Sequence, residues 1–288
     1  MIIGIIGAEN SHATAIAKAI NVEGKVKGFT VGYIWGETAE FAQKAAELGK
    51  IPNVVSDPSK MLGKVDAIVV DHRHGQYHLK AALPFVKQGS PVFIDKPLCC
   101  RAKDGAEFLK IAHNFKAPVT SFGVVPLQRS FINFMRKLEK IGNIYSGAVY
   151  GPCDIKSPYG GVFFYGIHQV EMALHAFGYD VEKVLVVKND KNAIGQLFYK
   201  NGKTIVLNLI ESGCSGFSIT AAGDKGNIHE VISFDKEMFL PGIKKFTAMF
   251  KSKVEPLSYQ QILKPVQVLE AMEKSIKSGK SEKVQRIK

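Results

Sequence analysis

The sequence predicts an α/β protein, with a doubly wound parallel sheet in its N-terminal part and an α+β region of mostly antiparallel strands after it. Residues 1–123 alternate short, continuous apolar runs with amphipathic helical patterns, as expected for strands covered on both faces. From residue 124 onward strand-like runs succeed one another with few helices between them, joined by turns such as Lys200-Asn201-Gly202. Two short motifs add to this. Asp95-Lys96-Pro97-Leu98 closes a strand of the first region, and Gly166-Ile167-His168 opens a helix of the second.

The elements follow in order. Ile2–Ile6 is the first strand, and Ala13–Ile20 a helix with Asn10 or Ser11 available as cap. Phe29–Trp35 is the second strand. Thr38 caps a helix whose Phe41, Ala42, Ala45 and Leu48 share one face, closed by Gly49. Asp57-Pro58 starts a short helical turn with proline at its favoured first position. Ala67–Val70, Val92–Ile94 and Val119–Phe122 are further strands, separated by helices over Tyr77–Lys87 and Ala102–Phe115. In the second region Leu127, Phe131, Phe134, Met135 and Leu138 fit one helical face. Strands are expected at Ile144–Tyr150, Val184–Val187, Ala193–Tyr199, Thr204–Ile210 and Phe217–Ala222. The helix Gly166–Phe177 interrupts them and ends at Gly178. A last helix starts near Ser258 with Gln261 completing a capping box, carries Val266, Leu269, Met272 and Ile276, and stops at Gly279. Pro265 either kinks it or marks its start. A boundary near Gly123 divides the chain into domains 1–123 and 124–288.

Composition narrows the function classes. The 46% hydrophobic and 10% aromatic content suits a globular protein with a real core. The net charge of +12 is spread along the chain, densest over Lys274–Lys288, and no helix carries a basic stripe interleaved with aromatics. A solvated lysine-rich surface therefore explains it better than a nucleic-acid partner, with attraction of an anionic substrate or cofactor as the second reading. Cys99, Cys100, Cys153 and Cys214 include no C-x-x-C pair, and free thiols in a reducing compartment are expected. Met1–Gly7 is too short for a signal h-region, and no apolar run reaches the length of a membrane span. A cytoplasmic protein without membrane partners is the expectation.

Ligands of a doubly wound sheet bind beyond the carboxyl ends of its strands, so residues just after strands are candidates. After the first strand these are Gly7, Glu9, Asn10, Ser11 and His12. After the second, Trp35 either stacks beside adenine or fills core. After the third comes Asp71-His72-Arg73-His74-Gly75-Gln76-Tyr77-His78. Three histidines and an aspartate are metal-ligand types. Cofactor-side or substrate contact by His72, His74 or His78, with Asp71, is favoured over a metal site, and structural hydrogen bonding is the remaining reading. After the fourth come Asp95 and Lys96. A lysine that polarises a substrate oxygen and an imidazole that takes its proton oxidise an alcohol when a nicotinamide accepts the hydride. Lys96 and His168 are the candidates, with Tyr165 and Arg129 as further substrate residues.

These motifs, in this order and spacing, make the chain resemble the Gfo/Idh/MocA oxidoreductases, the glucose–fructose oxidoreductase and inositol dehydrogenase group. The matching features are Met1–Gly7 before the first turn, Asp66–Val70 leading to a loop that ends in His78, and Asp95-Lys96-Pro97-Leu98 for the family's Glu-Lys-Pro signature. Gly160-Gly161 with Gly166-Ile167-His168, and the closing Glu270-Ala271…Ser275…Ser278-Gly279-Lys280, complete the match. The resemblance implies a Rossmann domain followed by an α+β domain with a large, open, mostly antiparallel sheet that serves oligomerisation as dimer or tetramer. It implies NAD or NADP, a sugar or polyol-like substrate, Lys96 and His168 as catalytic residues, and a cis Lys96–Pro97 bond.

Three positions depart from the family pattern. The dinucleotide fingerprint G-x-G-x-x-G reads Gly7-Ala8-Glu9-Asn10-Ser11-His12. Glu9 turned inward repels a diphosphate, and turned outward it leaves binding intact. The acidic residue that grips the adenosine ribose aligns with Gly36, with Glu37 as its substitute, which favours NAD slightly over NADP. Phe164 stands where the family often carries an aspartate four residues before the histidine, with Tyr165 and Glu171 as candidates to compensate. These departures motivate a second reading, a ligand-binding or regulatory relative that has lost hydride transfer.

Overall fold

The computed structural model describes residues 1–286. Ile287 and Lys288, the end of the basic C-terminal run, lie outside the described residues. The chain divides into two units. The first comprises residues 1–99, 103–122 and 239–262, and the second residues 100–102, 123–238 and 263–288.

The first unit holds a six-stranded, all-parallel sheet of β1 (Ile2–Ile6), β2 (Thr30–Trp35), β3 (Asn53–Val54), β4 (Ala67–Val70), β5 (Val92–Ile94) and β6 (Val119–Ser121), in the order β3-β2-β1-β4-β5-β6. The strand order reverses between β1 and β4, which makes their carboxyl ends the switch point of the sheet. Asp71 N–H donates to Ile6 O at 2.7 Å, and Asp95 N–H to Val70 O at 2.8 Å. These bonds fix where the loops after β1, β4 and β5 begin. The four residues of β4 are all buried, as a strand covered on both faces requires.

The sequence reading does not assign β3, a two-residue edge strand, or the helix Leu240–Ser252. That helix belongs to the first unit although it lies far beyond Gly123, so one cut at that residue does not describe the two units. Aromatic packing holds it there. Phe246 stacks on Phe93 at 4.5 Å and lies 5.3 Å from Phe250, which is fully buried. After β1 the helix is shorter than expected. Ser11–Ala17 is α-helical, and Lys18–Val22 widens into a π turn. Asn21 ends that turn by bonding both backbone groups of Val31 at 2.9 Å.

The second unit holds a seven-stranded sheet of β7 (Ile144–Pro152), β8 (Val181–Lys188), β9 (Asn192–Tyr199), β10 (Thr204–Ile210), β11 (Phe217–Gly223), β12 (Gly226–Ile232) and β13 (Glu282–Lys283). The order is β12-β11-β7-β10-β9-β8-β13, and every pairing is antiparallel except β7 with β10. Ile205, Leu207 and Leu209 of β10 are fully buried, and the residues between them are half-buried. This alternation marks one covered face. The helix Val162–Phe177 lies on it, with the Phe177 ring so close to Gly147 that an added Cβ would sit 2.5 Å from its Cζ. The last helix, Tyr259–Ser278, starts with the expected capping box. Ser258 N–H donates to Gln261 Oε1 at 2.9 Å, and Gln261 N–H to Ser258 Oγ at 3.3 Å. Pro265 lies inside the helix. Among the described residues no helix is long and apolar enough to cross a membrane.

Candidate functional site

In the first unit, the loops after β1, β4 and β5 bring together residues that are far apart in sequence. His12 Nδ1 lies 3.0 Å from Asp95 Oδ2 and 3.9 Å from Asp71 Oδ1. Asn10 Nδ2 donates to Asp71 Oδ1 at 2.9 Å and to Asp95 Oδ2 at 3.2 Å. Lys96 Nζ stands 3.9 Å from the same Asp95 oxygen. Asp71 is fully buried, Asp95 and Lys96 nearly so, while the His12 side chain keeps 17% of its surface exposed.

The two carboxyls ionise differently. Burial, then the neighbouring Asp95 charge, pushes the Asp71 carboxyl well above the usual range, so it holds its proton. Burial also opposes ionisation of Asp95, but the charges of His12 and Lys96 and the His12 hydrogen bond outweigh it and hold that carboxyl below the usual range. His12, Asp71 and Asp95 offer one ligand atom each within 4.8 Å of one another. The Asn10 amide and the Lys96 ammonium already aim donors at these oxygens, which fits a hydrogen-bonded ionic cluster better than a cation site.

Gly7 is required where it stands. Its φ is +110°, and a Cβ there would sit 2.6 Å from the Asp71 carbonyl carbon and the His72 nitrogen. Glu9 leans toward Arg73, with Oε1 3.7 Å from its guanidinium nitrogen, so its charge is partly answered within the protein. Asn10 is the cap residue of the helix Ser11–Ala17, but its side chain makes no cap bond, and its amide nitrogen donates to both carboxyls. Ser11 is exposed. Position 36 has no room for an acid, since a Cβ on Gly36 would sit 2.8 Å from the Ala8 Cβ and 2.9 Å from the Ala42 nitrogen. Glu37 follows it with an arrangement the sequence did not foretell. Its Oε2 accepts the amides of Ala8 at 2.8 Å and Glu9 at 2.9 Å, and its buried Oε1 has no partner among the described residues. Two amides of the fingerprint turn are thus taken by a carboxylate of the protein. The orphaned Oε1 is an acceptor of the kind a ribose hydroxyl satisfies, and in that respect the residues fit a dinucleotide.

The cluster after β4 separates into distinct roles. His78 is fully buried, with Nδ1 2.8 Å from Pro97 O and Nε2 2.8 Å from His72 O. Both ring nitrogens are spent on the backbone, so its expected cofactor contact does not fit. Asp71 likewise turns into the buried cluster instead of a cofactor-facing surface. His74 acts as a cap, accepting the Gln76 amide at 3.2 Å. Burial brings the His72 imidazole down to about 4, so it is neutral, and its buried Nδ1 has no partner among the described residues. Trp35 is half-buried, its ring centroid 5.7 Å from that of His72. The Lys96–Pro97 bond is cis.

In the second unit, His168 is buried on the helix Val162–Phe177. Its ring meets Tyr165 and Phe217 edge-on, each at 5.6 Å. Phe164 sits between Tyr159 and Tyr165, 4.9 Å from each. The position that in relatives often holds an aspartate therefore belongs to an aromatic stack. Glu171 is buried, and both its oxygens accept the Gly123 amide, at 2.9 and 3.1 Å. A Cβ on Gly123 would fall 3.5 Å from His168 Nδ1, which places this amide–carboxylate pair beside the imidazole. Arg129 is elsewhere. Its guanidinium donates to Asp235 at 2.8 Å with 80% of the side chain exposed, an arrangement that does not suit the expected anion-holding role.

Residues 1–121 match the model of an oxidoreductase family with an NAD-binding Rossmann fold. Over these residues, less than half of the chain, the protein is similar to the Gfo/Idh/MocA oxidoreductases. Solved structures extend the likeness in fold over the whole length. A probable dehydrogenase from Thermotoga maritima is 19% identical, with a TM-score of 0.83 over 99% of both chains. The myo-inositol 2-dehydrogenase of Lactobacillus plantarum is 15% identical, with a TM-score of 0.86 over 99% of both chains. The myo-inositol dehydrogenase of Lactobacillus casei in complex with NAD(H) and myo-inositol is 13% identical, with a TM-score of 0.85 over 100% of this chain and 98% of that one. No curated protein matches the chain in sequence. The turn Gly7–His12 and the motif Asp95-Lys96-Pro97 both lie within the matched residues.

Proposed function

We propose that this protein is a member of the Gfo/Idh/MocA group and an NAD(P)-dependent oxidoreductase that interconverts a hydroxyl and a carbonyl on a sugar, polyol or related small molecule. The observation that carries the reading is Lys96. It is a nearly buried lysine at the end of β5, beside a carboxylate that its surroundings keep ionised. A surface lysine has no need of such a setting. The similarly folded myo-inositol dehydrogenase of Lactobacillus casei, solved in complex with NAD(H) and myo-inositol, supports the reading.

Gly7, the turn through His12, and Glu37 are assigned to dinucleotide binding, with Trp35 and His72 beside them. The dinucleotide supplies the hydride acceptor. Glu37 favours NAD, because a carboxylate repels a 2′-phosphate. Lys96 orients and polarises the substrate oxygen, and His168 exchanges its proton. Tyr165, 39% exposed next to His168, is assigned to the substrate. The exposed Tyr145, Tyr150, Val187, Ile194 and Val231 on the strands of the second unit support assembly as a homodimer or homotetramer through that sheet.

Calorimetric titration with NAD⁺, NADH, NADP⁺ and NADPH tests the reading, followed by turnover of a polyol panel with whichever cofactor binds. Micromolar binding and His168-dependent turnover are expected. Phe164 in its aromatic stack favours the alternative of a ligand-binding relative without hydride transfer. Absence of binding by all four dinucleotides decides for that alternative.

A further inference from the structure

One oxygen, Asp95 Oδ2, receives three groups. His12 Nδ1 approaches at 3.0 Å, Asn10 Nδ2 at 3.2 Å and Lys96 Nζ at 3.9 Å. Two of the three come from the turn after β1. His12 stands at the position where the fingerprint carries its third glycine, so the departure from the pattern and the tie to the lysine motif are the same residue. The ionised Asp95 only accepts, so His12 Nδ1 carries the hydrogen of this bond. Phe239, its ring 4.7 Å from that of His12, supports the imidazole from the side.

We propose that His12 and Asn10 are positioning residues for Lys96, loading Asp95 Oδ2 so that this carboxylate is fixed as the counter-charge against which the ammonium is set. This rests on the oxidoreductase reading for its meaning, since it links the turn that receives the cofactor to the lysine that serves the substrate. The physical basis is that a buried carboxylate with a free rotamer leaves its counter-ion unplaced. Two directional donors in a low-dielectric site hold it in one orientation. The altered turn is then a gain of function at Lys96 as well as a change in the fingerprint.

The test compares full-length His12→Ala, His12→Asn and Asn10→Ala with the wild type by two readouts. The first needs no activity. Acetic anhydride labelling of the free protein, followed by mass spectrometry, gives the relative reactivity of each lysine. His12→Ala is expected to change the Lys96 rate about threefold or more, as loss of one charged hydrogen bond allows, while other lysines keep theirs. His12→Asn places an amide donor where Nδ1 was and is expected to restore the wild-type rate. The second readout is turnover. His12→Ala is expected to lower kcat about tenfold or more, beyond any change in dinucleotide Kd, and His12→Asn to recover most of it. An unaltered Lys96 rate in a folded His12→Ala variant overturns the proposal, as does a loss confined to dinucleotide Kd, which makes His12 a cofactor contact only. Asn10→Ala, read the same way, decides the matter if His12→Ala does not fold. If the wild type binds no dinucleotide, the oxidoreductase reading fails while the labelling result still decides the positioning role.

Discussion

Glu37 Oε2 accepts the Ala8 amide at 2.8 Å, tying the end of β2 to the turn after β1. The family's acid-bearing position is closed to any side chain at Gly36, and the carboxylate one residue later reaches back to the turn instead. Its second oxygen is left buried without a partner among the described residues. Glu37→Gln keeps the shape and removes the charge. It is expected to weaken NAD binding about tenfold, the equivalent of one charge-assisted hydrogen bond, and to narrow the preference over NADP. Calorimetry with both cofactors measures this, and an unchanged NAD-to-NADP ratio takes Glu37 out of cofactor recognition.

Lys96→Ala and His168→Ala are each expected to lower kcat by about 10²-fold or more. Dinucleotide affinity in His168→Ala should stay at the wild-type value. Steady-state kinetics with the best polyol, beside calorimetry, separates the two effects. Full turnover in Lys96→Ala removes the role assigned to that lysine.

Asp71 gives a signed pH prediction. Burial and the Asp95 charge raise its carboxyl well above the ordinary aspartate value of 3.8. Between 3.8 and that raised value the native state holds a proton that the unfolded chain has released. Stability tied to this proton is therefore full below about 3.8 and falls as pH rises. Asp71→Asn keeps a neutral group that does not titrate. Its melting temperature relative to wild type is expected to be higher at pH 8 than at pH 5. A constant difference across this range means Asp71 is ionised in the native state.

His72 titrates with the opposite consequence. Burial lowers its imidazole from 6.5 to about 4. The unfolded chain binds the proton first, so its contribution to stability is complete above 6.5 and is lost as pH falls toward about 4. The His72 ring resonances are expected to show no titration step above pH 5 by NMR. A midpoint near the ordinary histidine value means that the ring is solvated.

Phe246 anchors the helix Leu240–Ser252 in the first unit by stacking on Phe93. Phe246→Ala is expected to cost about 3–5 kcal/mol, as large-to-small changes in cores do. Urea unfolding measures it, and a loss under about 1 kcal/mol means that the helix is held by other contacts.

Much of the fold is legible along the chain. The four buried residues of β4 form one apolar run between turn signals, and the capping box at Ser258 and Gln261 announces the last helix. Local chemistry decides such features, so local sequence reveals them. The helix Leu240–Ser252 is harder to place. Its Ile243, Phe246, Met249 and Phe250 recur at helical spacing, but no local signal says that this face belongs with Phe93. The two-residue strand β3 is too short for any periodicity to show.

The candidate site divides in the same way. Lys96, His168, Gly7 and the histidine-rich loop stand out by residue type at strand and helix ends, and the resemblance to Gfo/Idh/MocA proteins rests on such motifs in their order and spacing. Their partners do not stand out. His12 and Asp95 lie 83 positions apart, and Asn10 and Asp71 lie 61 apart. They meet because the sheet order sets β1 beside β4 and β4 beside β5. Which carboxyl keeps its proton, why Gly36 excludes an acid, and why both nitrogens of His78 go to carbonyls are likewise set by burial and by distances across strands. The sequence by itself determined the order of elements and the chemical types delivered to the strand ends, because those depend on neighbours along the chain. Only the tertiary structure decided which of those groups share a charge, a proton or a hydrogen bond, because these interactions act through space over a few ångströms.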